Sequence, residues 1–318
     1  MTEYNHIVFG PVPSRRLGKS IGINNIPPKR CSYSCVYCQI GRTHQMQINR
    51  ESFYDPDIVF KHSKEKITQL IKNDEHIDYI TIVSDGEPTL DKQLGLLIKK
   101  LKTLSYPVAV ITNSSLIYQK DIQDELAFAD LVSLKIDSVS ESIWKQVDRP
   151  YGSLNLDEIL RGIMIFSAQY DKILYTETML IHQINDTSSE LEKIAEFIAR
   201  VKPAKSFLSI PTRPPSEPWV QPASEEALAQ AYQLFNDHHI PTEYIMSYEG
   251  NEFAYSGNAE QELLSILSVH PMRKEAVDHF LKKANETWSL IERLIKNQQI
   301  VKHRLGDHTY FSKKLSKR

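Results

Sequence analysis

Three cysteines set the tightest constraint on this chain. They are its only cysteines, and Cys31, Cys35 and Cys38 all fall within the eight residues CSYSCVYC. Three thiols cannot pair off completely as disulfides, and a reducing compartment would not keep them paired. Carried on one short loop in a C-x3-C-x2-C spacing, they must converge on one centre. Iron–sulfur clusters are usually held by cysteine thiolates, four for a [4Fe–4S] cluster. With three available, either a fourth ligand comes from elsewhere or one iron stays open. An open position on a metal is where chemistry can happen. Two other readings stand beside the cluster. His44 would complete a Cys3His zinc set, in a C-x3-C-x2-C-x5-H spacing that matches no familiar zinc module. Three inert core thiols are the other, and three packed into eight residues among Tyr and Ser count against it.

The rest of the chain alternates. Short β-rich runs occur at Ser20–Asn24, Tyr79–Val83, Val108–Thr112, Leu131–Ile136, Ile173–Leu180 and Ser206–Ile210. Apolar residues recur at helical spacing over 57–73, 91–104 and 187–201. Six strands with helices between them imply parallel β/α units. Eight units close a full barrel, so the expectation is a partial (β/α)6 TIM-like barrel with its site at the C-terminal ends of the strands. Pro211–Pro222 (PTRPPSEPWVQP) reads as an extended loop. A helix near Ser224–Asn236, a strand near Glu243–Met246 and a linker at Asn251–Asn258 complete a first domain over residues 1–250. The 318-residue length fits one large domain with an appendage. The start MTEYNHIVFG lacks a basic n-region and an apolar h-region, and no apolar run approaches the roughly 18–20 residues of a membrane span. A cytoplasmic protein with no membrane partner is expected.

The tail differs in charge and pattern. Residues 269–318 carry 12 Lys/Arg against 5 Asp/Glu, whereas the chain as a whole has a net charge of −2. A split of this kind marks either a nucleic-acid surface or a solvated basic tail. Helices are expected over Glu260–Leu267, Arg273–Lys282 and Glu286–Asn297, then two short strands, Ile300–Arg304 and His308–Ser312, turning at Gly306-Asp307. This pattern over 259–318 resembles a small winged helix-turn-helix, and RNA is its candidate partner.

The cysteine motif carries an aromatic residue, Tyr37, just before its last cysteine. In this it resembles the radical S-adenosylmethionine (SAM) superfamily, over roughly residues 10–215. The resemblance implies one [4Fe–4S] cluster on Cys31, Cys35 and Cys38, with SAM chelating the fourth iron. An electron from the cluster then cleaves SAM to methionine and a 5′-deoxyadenosyl radical. Ser84-Asp85-Gly86-Glu87-Pro88-Thr89 resembles the element whose backbone receives the SAM amino group, which places Gly86, Glu87 and Pro88 at the cofactor. Its glycine permits close backbone approach and its proline stiffens the turn; the same residues also suit an ordinary helix start. Asn113 and Ser114 follow the third strand, where the superfamily often places a polar SAM contact. Lys135 and Asp137 are charges in an apolar strand, costly unless paired or functional. By resemblance Asp137 reaches the SAM ribose and Lys135 the SAM carboxylate or the substrate; a Lys–Asp pair is the plain alternative. Thr178 and Ile210 end the next two strands and flank SAM and its adenine.

The lead GPVPSRRLGKSIGIN resembles a bacterial branch of Fe–S oxidoreductases in the group that includes the tRNA wyosine synthase. Arg15, Arg16 and Lys19 become candidates for an anionic substrate. One departure matters. Wyosine synthases carry extra cysteines for a second cluster that engages pyruvate, and this chain has none to spare. No flavodoxin domain is present, so the electron donor is expected to be a separate flavodoxin or ferredoxin. Three functions follow: a radical enzyme on a tRNA base, a radical enzyme on a small molecule or protein side chain, and a nucleic-acid-binding regulator that senses iron or redox state through its cluster.

Overall fold

The structure is a computed structural model that describes residues 7–245, 253, 255 and 257–314. Its centre is built from short apolar runs that are buried on both faces, as parallel strands must be. An antiparallel pair comes first, β1 (Val8–Ser14) and β2 (Gly18–Ile23). The small ladder β3 (Arg30–Cys31) and β4 (Gln45–Met46) brackets the cysteine loop. Then α1 (Pro56–Lys72), β5 (Tyr79–Ile82), α2 (Leu94–Lys102), β6 (Val108–Thr112), α3 (Lys120–Leu126) and β7 (Leu131–Lys135) alternate. They are followed by α4 (Glu141–Val147), α5 (Leu156–Gln169), β8 (Ile173–Met179), α6 (Ser188–Val201), β9 (Lys205–Ser209), α7 (Glu225–Asp237) and β10 (Thr242–Ile245).

The strands form one sheet in the order β1-β2-β5-β6-β7-β8-β9-β10. All neighbours from β2 to β10 run parallel, and the ends do not pair, so the sheet is an open half-barrel. It is larger than six units: β10 joins in parallel beside β9, and β1 folds back on β2. The expected strand end at Met246 and most of the linker Asn251–Asn258 lie outside the described residues.

Local chemistry sets the helix limits. Asp55 caps α1 by accepting from Asp57 N, with Pro56 at its first position, and α1 buries Val59, Ser63, Ile67 and Leu70 on one face. Thr187 caps α6 in the same way through Glu190 N. The helix expected to begin at residue 91 starts later, at Leu94, because Pro88–Leu90 forms a separate 3-10 turn capped by Glu87. The periodicity of α5, with Ile159, Ile163 and Phe166 buried, was legible but not singled out above.

The tail folds as α8 (Ala259–Val269), β11 (Met272–Arg273), α9 (Lys274–Lys283), α10 (Trp288–Lys296), β12 (Ile300–Leu305) and β13 (His308–Lys313), with β13 central in a three-stranded sheet. It has its own apolar core, including Leu263, Met272, Phe280, Ile291 and Phe311, apart from the core under the large sheet. Phe253, from the expected linker, is fully buried in that core. The tail docks on the half-barrel through Lys66–Glu262 at 3.2 Å, a Lys283–Glu75 ion pair and Tyr310 Oη, which donates to Thr212 O at 2.8 Å. No helix among the described residues is long and apolar enough to cross a membrane.

Candidate functional site

The cysteine loop lies across the C-terminal ends of the parallel strands, where sites collect in such sheets. Two segments tie it down. The chain after α4 pairs with it: Ser34 N donates to Asp148 O (3.0 Å), Val36 N to Val147 O (2.9 Å) and Tyr151 N to Ser32 O (2.8 Å). The proline-rich stretch grips the other side. Ser216 Oγ donates to Cys35 O (2.9 Å) and Val36 O (2.8 Å). Glu217 accepts a two-pronged pair from Arg42 at 2.8 and 3.0 Å, and a third bond from Arg149 at 2.6 Å. The prolines thus give an extended segment that serves as a clamp.

All three cysteines line one cavity of about 280 Å³. Burial pushes the Cys31 thiol up to about 12, with the Glu87 carboxylate adding to the rise. Burial also raises Cys38, held back by the Ile40 amide and the charge of Lys29, and raises Cys35, helped by Asp148. Metal ligation needs thiolates, so loading this site releases protons. Asn113 Nδ2 donates to Cys31 Sγ at 3.5 Å, and Cys35 Sγ donates to Asp148 Oδ1 at 3.2 Å. Sulfur ligands oriented by hydrogen bonds are what a cluster site requires. Among the described residues no three His, Cys, Asp or Glu side chains converge closely enough for a single ion, and His44 is exposed. Cys31, Cys35 and Cys38 would be the residues to hold a [4Fe–4S] cluster, which takes cysteine thiolates as ligands.

The β5 turn supplies the facing wall. A Cβ on Gly86 would stand 1.7 Å from Arg30 O, so only glycine lets this turn meet the strand that leads into Cys31. Glu87 is buried, and its oxygens accept from Thr89 N (3.0 Å), Thr89 Oγ1 (2.6 Å), Thr112 Oγ1 (2.6 Å) and Asn113 N (2.7 Å). Burial still holds its carboxyl above the ordinary range. Glu87 therefore rivets the β5 turn to the end of β6 and sets the position of Asn113.

Gly86, Glu87, Asn113, Lys135 and Ile210 all line the cavity with the cysteines, as do Arg15 and Arg16. Lys135 donates to Glu177 Oε1 at 3.3 Å, with its ammonium 4.8 Å over the Tyr37 ring. Arg16 also pairs with Glu177, the partner that takes the place of the expected Asp137. Five expected residues fall outside the lining. Asp137 is spent inward, accepting from Tyr37 Oη and, at 2.7 Å, from Met179 N. Thr178 donates to Ile136 O at 2.8 Å, and Pro88 opens the 3-10 turn. Ser114 is buried away from the cavity, and Lys19 sits at the sheet's far end beside Glu75 and Asp78. The lining adds Lys29, Asp85, Glu177 and Arg213, none of which was singled out from the sequence as a cavity residue. A charge inside the apolar run of β8 was the available signal for Glu177.

Comparisons with known proteins fit this geometry. The model of the Radical SAM superfamily matches residues 25–198. A UPF0026 protein of Methanocaldococcus jannaschii is 43% identical over 98% of this chain and 97% of its own length. A UPF0026 protein of Helicobacter pylori strain J99 is 30% identical over 96% of this chain and 97% of its own. Among solved structures, TYW1 with a lysine–pyruvate adduct bound superposes with a TM-score of 0.52 at 17% identity, covering 74% of this chain and 78% of that one, a likeness of fold.

Proposed function

This chain belongs to the radical SAM superfamily, and from that premise we propose that Cys31, Cys35 and Cys38 hold its [4Fe–4S] cluster and that SAM lies against Gly86, Glu87, Asn113 and Lys135. One observation supports this most: the three thiols and those four residues, from separate stretches of sequence, line one cavity. When bound, the cluster supplies the electron that cleaves SAM into methionine and a 5′-deoxyadenosyl radical.

The chain's own groups then have defined tasks. The Gly86–Glu87 backbone lies close enough to the cysteine strand to orient an amino group, since no side chain intervenes at Gly86. Lys135, shared with Glu177, offers a cation to a carboxylate. Asn113 spans the cysteine wall and the β6 end through Cys31 and Ser32.

The substrate carries an anionic group. Five cations line the cavity, Arg15, Arg16, Lys29, Lys135 and Arg213, against three carboxylates, Asp85, Glu87 and Glu177. The tail, read as a winged helix from its order of helices and strands, adds a basic surface through which an RNA would be held. The electron donor is a separate flavodoxin or ferredoxin. No observation favours the cluster-sensing regulator.

Anaerobic reconstitution with iron and sulfide, followed by dithionite and SAM, tests this reading. The expected products are 5′-deoxyadenosine and methionine. A loaded protein that yields neither contradicts it. RNA binding that is absent even at low salt removes RNA as the substrate, because phosphate contacts strengthen as salt falls.

A further inference from the structure

Two residues of the C-terminal domain hold two neighbouring residues of the cavity wall. Thr212 and Arg213 follow β9, and both line the cavity. Tyr310, buried in β13, donates from Oη to Thr212 O at 2.8 Å. The same hydroxyl accepts from Arg273 Nε at 2.9 Å, across the ladder that sets Arg273 opposite Tyr310. His270, which closes α8, meets the guanidinium of Arg213, with Nε2 3.1 Å from Nη2. A guanidinium only donates, so this imidazole nitrogen accepts and carries no proton. The ring is buried and packs edge-on against Phe253, with 5.2 Å between ring centres, which fixes its plane.

Arg213 also reaches the cysteine loop. It donates from Nη1 to Gln39 Oε1, and Gln39 lines the cavity next to Cys38. The amide oxygen and the imidazole nitrogen are neutral acceptors, so these two contacts aim the guanidinium without drawing on its charge. In the sheet, Arg213 stands apart from the residues read as holding SAM. Gly86, Glu87, Asn113 and Lys135 lie at or beyond the ends of β5, β6 and β7, and β8 separates those strands from β9. A guanidinium is the side chain best shaped to grip two oxygens of one anion at once.

We propose that Arg213 is a specificity-determining residue that binds an anionic oxygen group of the substrate, a carboxylate or a phosphate, and that His270 and Tyr310 of the C-terminal domain are its positioning residues. The inference rests on the reading of this cavity as the SAM site, and it names the residue that receives the substrate's anionic group. Tyr310 fixes the backbone just before Arg213, and His270 fixes the far end of its side chain. The C-terminal domain is then part of the substrate site, although its apolar core is separate from that of the half-barrel.

The test uses the full-length, cluster-loaded protein with SAM bound and no reductant. It is titrated by calorimetry with inorganic phosphate and, separately, with acetate at constant ionic strength. Wild type binds at least one probe, and the tighter one identifies the anionic group. Arg213→Gln weakens that probe about tenfold, the loss expected for a hydrogen bond to a charged group, and weakens SAM less. His270→Leu weakens the probe about fivefold and Tyr310→Phe about threefold, within the range of direct pairwise coupling. His270→Gln restores it to within about twofold, because its amide oxygen accepts from Arg213 as the ring nitrogen does. Adding His270→Leu to Arg213→Gln costs nothing more. Wild-type probe affinity in Arg213→Gln or in His270→Leu overturns the inference. Equal losses of probe and SAM in Arg213→Gln, or losses that add in full in the double variant, overturn it too. A wild type that binds SAM and neither probe sinks this inference alone; one that binds no SAM sinks the cavity reading with it.

Discussion

The two walls of the cavity are built in opposite ways. The cysteine wall is tied by direct bonds at every point: Ser216 on two carbonyls, Glu217 across Arg42 and Arg149, and the backbone of residues 147–151 along the loop. The β5 wall is packed just as tightly at Gly86 and riveted at Glu87, yet it buries Asp85, whose carboxylate finds no well-formed hydrogen bond among the described residues. The first wall is fixed within the barrel and prepared for a cluster. The second buries a carboxylate that its surroundings push up to about 7. The contrast teaches that one side of this cavity is held by direct bonds along its loop, while the other combines a rivet at Glu87 with a buried and poorly compensated carboxylate at Asp85.

Four substitutions break or sharpen that contrast, beginning with the largest effect. Cys35→Ala removes a ligand from the fixed wall. Its SAM cleavage, read as 5′-deoxyadenosine, falls more than about 100-fold, beyond what changes in the groups around a metal ligand cost. Retained cleavage would mean that the fixed wall does not hold the cluster.

Gly86→Ala drives a methyl group into Arg30 O and forces the walls apart. Chemical denaturation shows a loss of about 1–3 kcal/mol, the ordinary cost of overpacking, together with weakened SAM binding. Unchanged stability would show that the β5 wall yields freely.

Glu217→Gln loosens the clamp, and its signature lies in pH. The two arginines hold the Glu217 carboxyl below its ordinary value of 4.5, with the Arg42 hydrogen bond the largest cause. A depressed acid stabilises the fold fully above its unfolded value and loses that contribution as pH falls through the native one. Wild type therefore loses stability between about pH 4.5 and the lowered native value, and the Gln variant shows a shallower limb there. Identical acid limbs in urea unfolding would remove the clamp.

His44→Ala is the smallest change. Iron bound per chain and cleavage stay at wild-type levels, because His44 is exposed and no single-ion site includes it. A loss of metal would restore zinc as a reading.

The same contrast marks what the sequence could disclose. Gly86, Asn113, Lys135 and Ile210 reach the cavity because each lies at or just beyond the C-terminal end of a parallel strand, and a parallel sheet brings those ends together; the cysteine motif stood out by its spacing alone. Asp137 lies outside the cavity lining, with Tyr37 and the Met179 amide as partners. A charge in a buried strand must find a partner, and sequence does not say whether that partner is a ligand or Tyr37 and the Met179 amide. Lys29 and Arg213 stand in no pattern that the sequence singles out, and only the folded loops bring them to the cavity. The clamp by Ser216 and Glu217 was hidden in a stretch that proline content marks only as extended. The bond from Tyr310 to Thr212 O was beyond reach, since it depends on how two separately cored units meet, and no local pattern records that.

The most direct test of the central claim is the electron paramagnetic resonance spectrum of the dithionite-reduced, reconstituted protein, taken with and without SAM, alongside its metal content. Three cysteine ligands and one open iron predict about four iron and four sulfide per chain and a spectrum that changes when SAM is added. A reduced cluster whose spectrum ignores SAM, or a protein that retains one zinc instead, would contradict it.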